Sequence, residues 1–135
     1  MKIIISYPPL AGKGSPMLTQ NRQFQWYHVP SYIYPLVPAW AATLLQKDGF
    51  EVLWNDAIAE QWSYEQFVTF FEKEKPDLIA FETKAPVVRQ HWRITDQLKG
   101  IHPGCRFILM GDHVTALPDE SMQNCRVDYV LTGGD

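Results

Sequence analysis

Short apolar runs punctuate the chain. Lys2–Ser6 is rich in isoleucine, and Asp77–Phe81, Arg106–Met110 and Val127–Leu131 are also short and nearly continuous. Such runs predict parallel strands covered on both faces. Phe50–Trp54 alternates apolar and polar positions, which predicts an edge strand. Between the runs the period becomes helical. Leu36, Val37, Trp40, Ala41, Leu44 and Leu45 form one apolar stripe, predicting a helix that Gly49 stops. Ser63 and Gln66 have capping-box spacing, with Phe67, Val68 and Phe71 following on one face. Pro86 suits the first turn of a third helix that carries Val88, Trp92 and Leu98 and closes at Lys99-Gly100. A short fourth helix is predicted from about Ala116 to Gln123, with Pro118 near its start.

Strands and helices therefore alternate, which implies a parallel sheet with helices on both faces. Right-handed crossovers and the strand count predict a flavodoxin-like (Rossmann-like) α/β fold. It is a doubly wound, three-layer αβα arrangement around a five-stranded parallel sheet of order 2-1-3-4-5. Two features depart from the plain plan. The connection from Tyr7 to about Pro35 is far longer than usual and holds Phe24, Trp26, Tyr27, Tyr32 and Tyr34. The sequence also ends at Gly133-Gly134-Asp135, directly after the fifth strand, so the expectation is a truncated piece or a sheet covered by a partner.

With 135 residues the chain fits one domain. Its 46% hydrophobic and 20% charged residues describe a globular protein. Twelve Lys+Arg against 15 Asp+Glu give a net charge of −3, which argues against nucleic acid as a partner. No apolar run is long enough for a membrane helix. The opening apolar run is too short for a secretory leader, so the expected compartment is cytoplasmic. Two cysteines, Cys105 and Cys125, cannot build a four-thiolate metal site; Cys105 reads as a core thiol.

Ligands of open parallel sheets sit beyond the carboxyl ends of the strands, at the point where strand order reverses. The ends there read Ser6-Tyr7-Pro8-Pro9, Glu82-Thr83-Lys84, Gly111-Asp112-His113-Val114-Thr115 and Thr132-Gly133-Gly134. Pro8 and Pro9 have no amide hydrogen for a flavin phosphate, which disfavours an electron carrier or a small-molecule sensor of that type. The acidic residues of a phosphoacceptor domain and a G-x-G-x-x-G fingerprint are both missing. Gly12-Lys13-Gly14 reads as a flexible loop. What remains is a groove for a bulky, mostly neutral group, with hydroxyls and glycines at its rim.

Four segments in order carry a resemblance. They are Tyr7-Pro8-Pro9, the stretch Tyr34-Pro35-Leu36-Val37-Pro38-Ala39-Trp40-Ala41-Ala42-Thr43-Leu44-Leu45, Gly49-Phe50-Glu51-Val52 through Asp56-Ala57, and a pair at the C-terminus. That pair is Met110-Gly111-Asp112-His113-Val114-Thr115-Ala116-Leu117-Pro118 with Val127 through Asp135. Together they resemble the N-terminal cobalamin (B12)-binding domain of B12-dependent radical SAM proteins, over nearly the whole chain except the Ala11–Tyr32 loop. Asp112 replaces a glycine or proline of that pattern, and Gly134 stands where glutamate is common. The D-x-H-x-x-G motif of methyltransferase-type domains is absent after strand 1.

The resemblance implies a cobalamin-binding module, residues 1–135, from the N-terminal part of a larger enzyme. It implies base-off cobalamin with no histidine ligand from the strand 1 loop. The chain alone would not be catalytic. S-adenosylmethionine and a [4Fe–4S] cluster would belong to a C-terminal radical SAM domain, which would do methyl transfer or related radical chemistry. The alternative is a degenerate domain of the same fold, structural or interacting, without cofactor. The implied cofactor-binding residues are Tyr7, Pro8, Thr83, Lys84, Gly111, Asp112, His113, Thr115, Gly133 and Gly134.

Several have a second, plainer reading. His113 contacts the nucleotide tail or corrin amides, or else opens a helix. Thr83 and Thr115 bond the tail or cap the helices that follow them. Lys84 meets the tail phosphate or is a solvated lysine. Gly111, Gly133 and Gly134 admit a ligand or make tight turns. The loop aromatics cover the corrin, pack on another domain, or pack locally. Trp40, Trp54 and Trp92 are expected in core or helix–sheet contacts, and His28, His91 and His102 at the surface.

Overall fold

The computed structural model describes residues 1–11 and 32–133, and the backbone of two short strands at 15–18 and 24–27. Five parallel strands form one sheet: β1 (Lys2–Tyr7), β4 (Glu51–Asp56), β5 (Leu78–Glu82), β6 (Arg106–Met110) and β7 (Tyr129–Leu131). Their order is β4-β1-β5-β6-β7, which is the expected 2-1-3-4-5, with β4 at an edge. The fold is flavodoxin-like. Inside the long connection, β2 (Ser15–Leu18) and β3 (Phe24–Tyr27) pair antiparallel, a hairpin that the apolar pattern does not announce.

Register gives the sheet two faces. Ile4 lies beside Leu53 and Ile79, and Ile79 beside Phe107. This face carries the larger core. Phe67 and Phe71 of α2 (Tyr64–Glu74), Val88, Trp92 and Leu98 of α3 (Val88–Ile101) and Val114 of α4 (Asp112–Ala116) pack on it. Each fully buried aromatic here contributes about 2 kcal/mol of apolar transfer. The capping box of α2 is present: Ser63 Oγ accepts from the Gln66 amide at 3.1 Å, and Gln66 Oε1 from the Ser63 amide at 2.7 Å. Cys105 is buried, as expected.

The opposite face holds Ile3, Ile5, Val52 and Trp54, covered by α1 (Leu36–Lys47). Of the predicted stripe only Ala41 and Leu45 pack on this core. The helix buries Pro38 and Ala42, while Leu36, Val37, Trp40 and Leu44 point to solvent. Trp40 is 70% exposed and makes no core contact, whereas Trp54 is half-buried and Trp92 buried. Small residues let the helix lie close to the sheet. Gln46 Nε2 donates to the Val52 carbonyl of edge strand β4 at 3.2 Å. On the α1 side of the sheet Ile108 and Met110 are half-buried, and Tyr129 and Leu131 about half exposed.

Other boundaries also moved. Pro86 lies in a turn before α3, whose N-cap is Val87, and the helix runs through Gly100 to Ile101. The predicted fourth helix is present as α5 (Pro118–Asn124); the shorter α4, which was not predicted, precedes it, and the two are separated at Leu117 (φ −134°, ψ 63°) because Pro118 disfavours helical backbone before it. His91 is buried, not at the surface, because the apolar side of α3 carries it inward; His102 is half-buried. His28 lies outside the described residues, as do Gly12-Lys13-Gly14 and the side chains of Phe24, Trp26 and Tyr27. Among the described residues no helix is long and apolar enough to cross a membrane.

Candidate functional site

The carboxyl ends of β1 and β5 meet where strand order reverses. Tyr7, the last residue of β1, is 1% exposed and donates its phenol hydrogen to the Glu82 carboxylate. Burial raises the phenol pKa, and the Glu82 charge raises it further. The Trp54 ring lies 6.0 Å from that of Tyr7, and the Tyr34 ring 5.9 Å from Trp54. An aromatic series thus runs from the strand end toward the start of α1. Asp56 ends β4, and burial raises its pKa. Pro8 is buried beside this cluster in sequence and has no amide hydrogen to offer a ligand.

Lys84 is not solvated, which corrects the plainer reading of that residue. Its side chain is 2% exposed, and Nζ lies 3.0 Å from Glu82 and 3.8 Å from Asp112. The Glu82 contact is an ion pair by distance but lacks hydrogen-bond alignment, so the ammonium has donor capacity left. Asp112 opens α4 with its side chain 42% exposed, at the rim.

Thr83 caps no helix, since α3 has no side-chain cap. Its Oγ1 lies 2.8 Å from Nδ1 of His91, inside the molecule. Burial pushes the His91 pKa down to about 3. His91 Nε2 and the Thr95 hydroxyl, one turn apart on α3, are buried without partners among the described residues. Gly111 has φ +111°, and a Cβ there would lie 2.6 Å from the Thr83 carbonyl oxygen. The glycine is therefore required by the close crossing of the β5 and β6 ends.

His113 Nε2 lies 2.7 Å from Glu120 of α5, and its ring packs edge-on against Trp92. Thr115 bonds the Gly111 carbonyl at 2.9 Å and accepts from the Gly133 amide at 3.2 Å, which ties α4 to the end of β7. Gly133 has φ +84° and nothing within 4 Å of a Cβ position, so space opens beyond β7. Gly134 lies outside the described residues.

The predicted residues thus separate into two groups. Tyr7, Thr83, Lys84 and Gly111 gather at the β1–β5–β6 ends and are engaged internally. Asp112, Thr115 and Gly133 form an open rim, with His113 turned toward α5. Sequence reasoning missed Glu82 as the hub of the first group. Its signal was three consecutive polar residues, Glu82-Thr83-Lys84, closing an apolar strand. It also missed His91, whose signal was its place on the buried stripe of α3, one residue before Trp92.

Comparison with curated proteins and with solved structures gives no match. The family described as B12 binding domain matches residues 27–135, from the end of β3 through β7 and beyond. On that match, and with the five-stranded parallel sheet that agrees with it, the chain belongs to the B12-binding domain family.

Proposed function

We propose that the chain holds cobalamin at the carboxyl edge of its sheet and is the N-terminal cofactor-holding module of a radical SAM enzyme. The observation that carries the reading is the incompletely covered apolar face of β6 and β7 on the α1 side of the sheet, where Ile108 and Met110 are half-buried and Tyr129 and Leu131 about half exposed. A large, flat, mostly neutral cofactor with a long tail needs such an apolar surface and a rim of small and hydroxyl-bearing residues. These residues fit that need. Gly133, Thr115, Asp112 and the backbone beside Gly111 would hold the rim. Tyr7, Pro8, Thr83 and Lys84 would form the wall behind it, and His113 would act through α4 and α5.

Bound cobalamin supplies a cobalt centre that carries and transfers a methyl group. The β1 end presents Tyr7-Pro8-Pro9, without an imidazole, which supports a base-off cofactor with no histidine ligand from that loop. S-adenosylmethionine and a [4Fe–4S] cluster belong, in this reading, to a radical SAM domain further along a longer polypeptide. The four sequence segments that resemble B12-dependent radical SAM proteins support that partnership.

A degenerate domain without cofactor is the second reading. The Tyr7–Glu82–Lys84 cluster favours it, because it fills the strand-reversal point with side chains that pair with one another.

Hydroxocobalamin titration followed by desalting tests the proposal. The expected result is retention near one cofactor per chain, with a base-off visible spectrum. A histidine-ligated spectrum would overturn the base-off part. No retention by either this chain or the longer polypeptide would leave the degenerate reading. A longer polypeptide without a C-x-x-x-C-x-x-C motif beyond residue 135 would end the radical SAM part.

A further inference from the structure

A cleft of about 230 Å³ lies between α2, α3 and the residues after β1. None of the ten residues assigned to the cobalamin site lines it. Its apolar lining is Pro9, the Tyr64 ring and Ile94. Its polar lining is Gln90, Arg93 and Gln97, which follow one another at helical spacing along α3.

The polar groups have one character. Gln90 Oε1 accepts from the backbone N–H of Ala11 at 3.0 Å, and a backbone N–H can only donate, so the amide orientation is fixed. Gln97 Oε1 accepts from the Tyr64 hydroxyl at 2.6 Å. Gln90 therefore keeps its NH₂ group for a ligand, and so does Gln97 with the Tyr64 hydroxyl as its donor. Arg93 spends Nε on the Arg89 carbonyl at 3.3 Å, and its terminal nitrogens have no carboxylate partner among the described residues. Asp96, the acidic residue of α3, is held by Arg126 instead. None of the described lining residues is acidic.

We infer that this cleft binds a small apolar monocarboxylate. Donors without acceptors, beside one guanidinium, match an oxyanion, because Arg pairs with carboxylate through two parallel N–H groups. The one cation among the described lining residues matches a single negative charge better than the nearly doubled charge of a phosphate monoester. The volume lies below the roughly 300 Å³ at which sites for drug-sized ligands begin. The occupant is then the size of benzoate, with its ring on Pro9, Tyr64 and Ile94.

The test is amide-resolved NMR titration of the ¹⁵N-labelled chain with benzoate, with benzyl alcohol and phenyl phosphate as comparison arms. The expected result is a saturable shift of the Gln90 and Gln97 side-chain amides and the Ala11 amide. The Arg93→Gln variant, altered at an exposed position, should bind benzoate about tenfold more weakly. Benzyl alcohol should leave the three amides in place. No saturation by roughly 10 mM benzoate overturns the site, since weaker binding gives less than a small ligand of this kind should reach. Equal response to benzyl alcohol, or unchanged affinity in Arg93→Gln, overturns the charge recognition. Tighter binding of phenyl phosphate overturns the choice of a monocarboxylate.

Discussion

The Lys84 ammonium lies 3.0 Å from the Glu82 carboxylate, with 2% of the lysine side chain and 17% of the glutamate side chain exposed. Such a pair is expensive to break from one side, because the remaining charge stays buried. Glu82 also accepts from Tyr7, so its loss orphans two groups. Lys84→Met is expected to cost about 2–3 kcal/mol, less than a fully dry pair because Glu82 retains some solvent. Glu82→Gln should cost at least as much. The double variant Glu82→Gln/Lys84→Met should be more stable than the sum of the two losses implies. Urea unfolding of the four proteins checks this; strict additivity would show that the pair is not coupled.

The pairing of Thr83 with His91 predicts a pH effect. The folded-state pKa of His91 is lowered to about 3 by burial, against about 6.5 in an unfolded chain. Below the unfolded value the unfolded chain binds a proton that the native state does not. Stability is therefore full above that value and falls with acidification until the folded pKa is reached. The slope is about 1.4 kcal/mol per pH unit, so this histidine should remove about 2 kcal/mol between pH 7 and pH 5. Urea unfolding at both pH values should show that loss in the parent chain and a much smaller one in His91→Gln. An equal loss in both proteins would assign the pH dependence to other groups.

Strand order and the α2 cap were legible because local rules decide them. The apolar runs had to become buried strands, and Ser63 with Gln66 had few alternatives. The direction of α1 was not legible. Its buried line runs through Pro38 and Ala42, and small residues carry little hydrophobic signal, so Trp40 and Leu44 outweighed them in the pattern. The strand-end position of the candidate residues was legible, since each one that the structure describes stands at a strand end or in the segment that follows one. The chemistry of the site was not. Whether Lys84 faces water or Glu82, and whether Thr83 caps a helix or meets His91, depends on groups brought together from distant sequence.

The exposed flank of α1 gives a prediction at the surface. Leu36, Val37, Trp40 and Leu44 are each more than half exposed. Trp40→Glu and Leu44→Glu should change unfolding stability by no more than about 0.5 kcal/mol, because little packing is lost. Both should reduce concentration-dependent light scattering, since a contiguous apolar patch promotes association. A loss of several kcal/mol in either variant would mean that the helix packs more deeply than its exposed face indicates.

Gly111 and Gly133 both have positive φ, yet they should respond differently to a methyl group. At Gly111 the added Cβ would lie 2.6 Å from the Thr83 carbonyl oxygen and 3.3 Å from Glu82 Cγ, and φ is +111°. Backbone cannot move aside as a flexible side chain does, so the β5 and β6 ends must separate. Gly111→Ala is expected to cost about 3 kcal/mol or more, combining conformational strain with overpacking. At Gly133, with φ +84°, nothing lies within 4 Å of the Cβ position. Only conformational strain remains there, and Gly133→Ala should cost about 1 kcal/mol. Urea unfolding separates the two. Cobalamin retention then adds a second readout. If Gly133 borders the cofactor, its alanine variant should lose retention out of proportion to its small loss of stability. Retention equal to the parent would remove Gly133 from the rim.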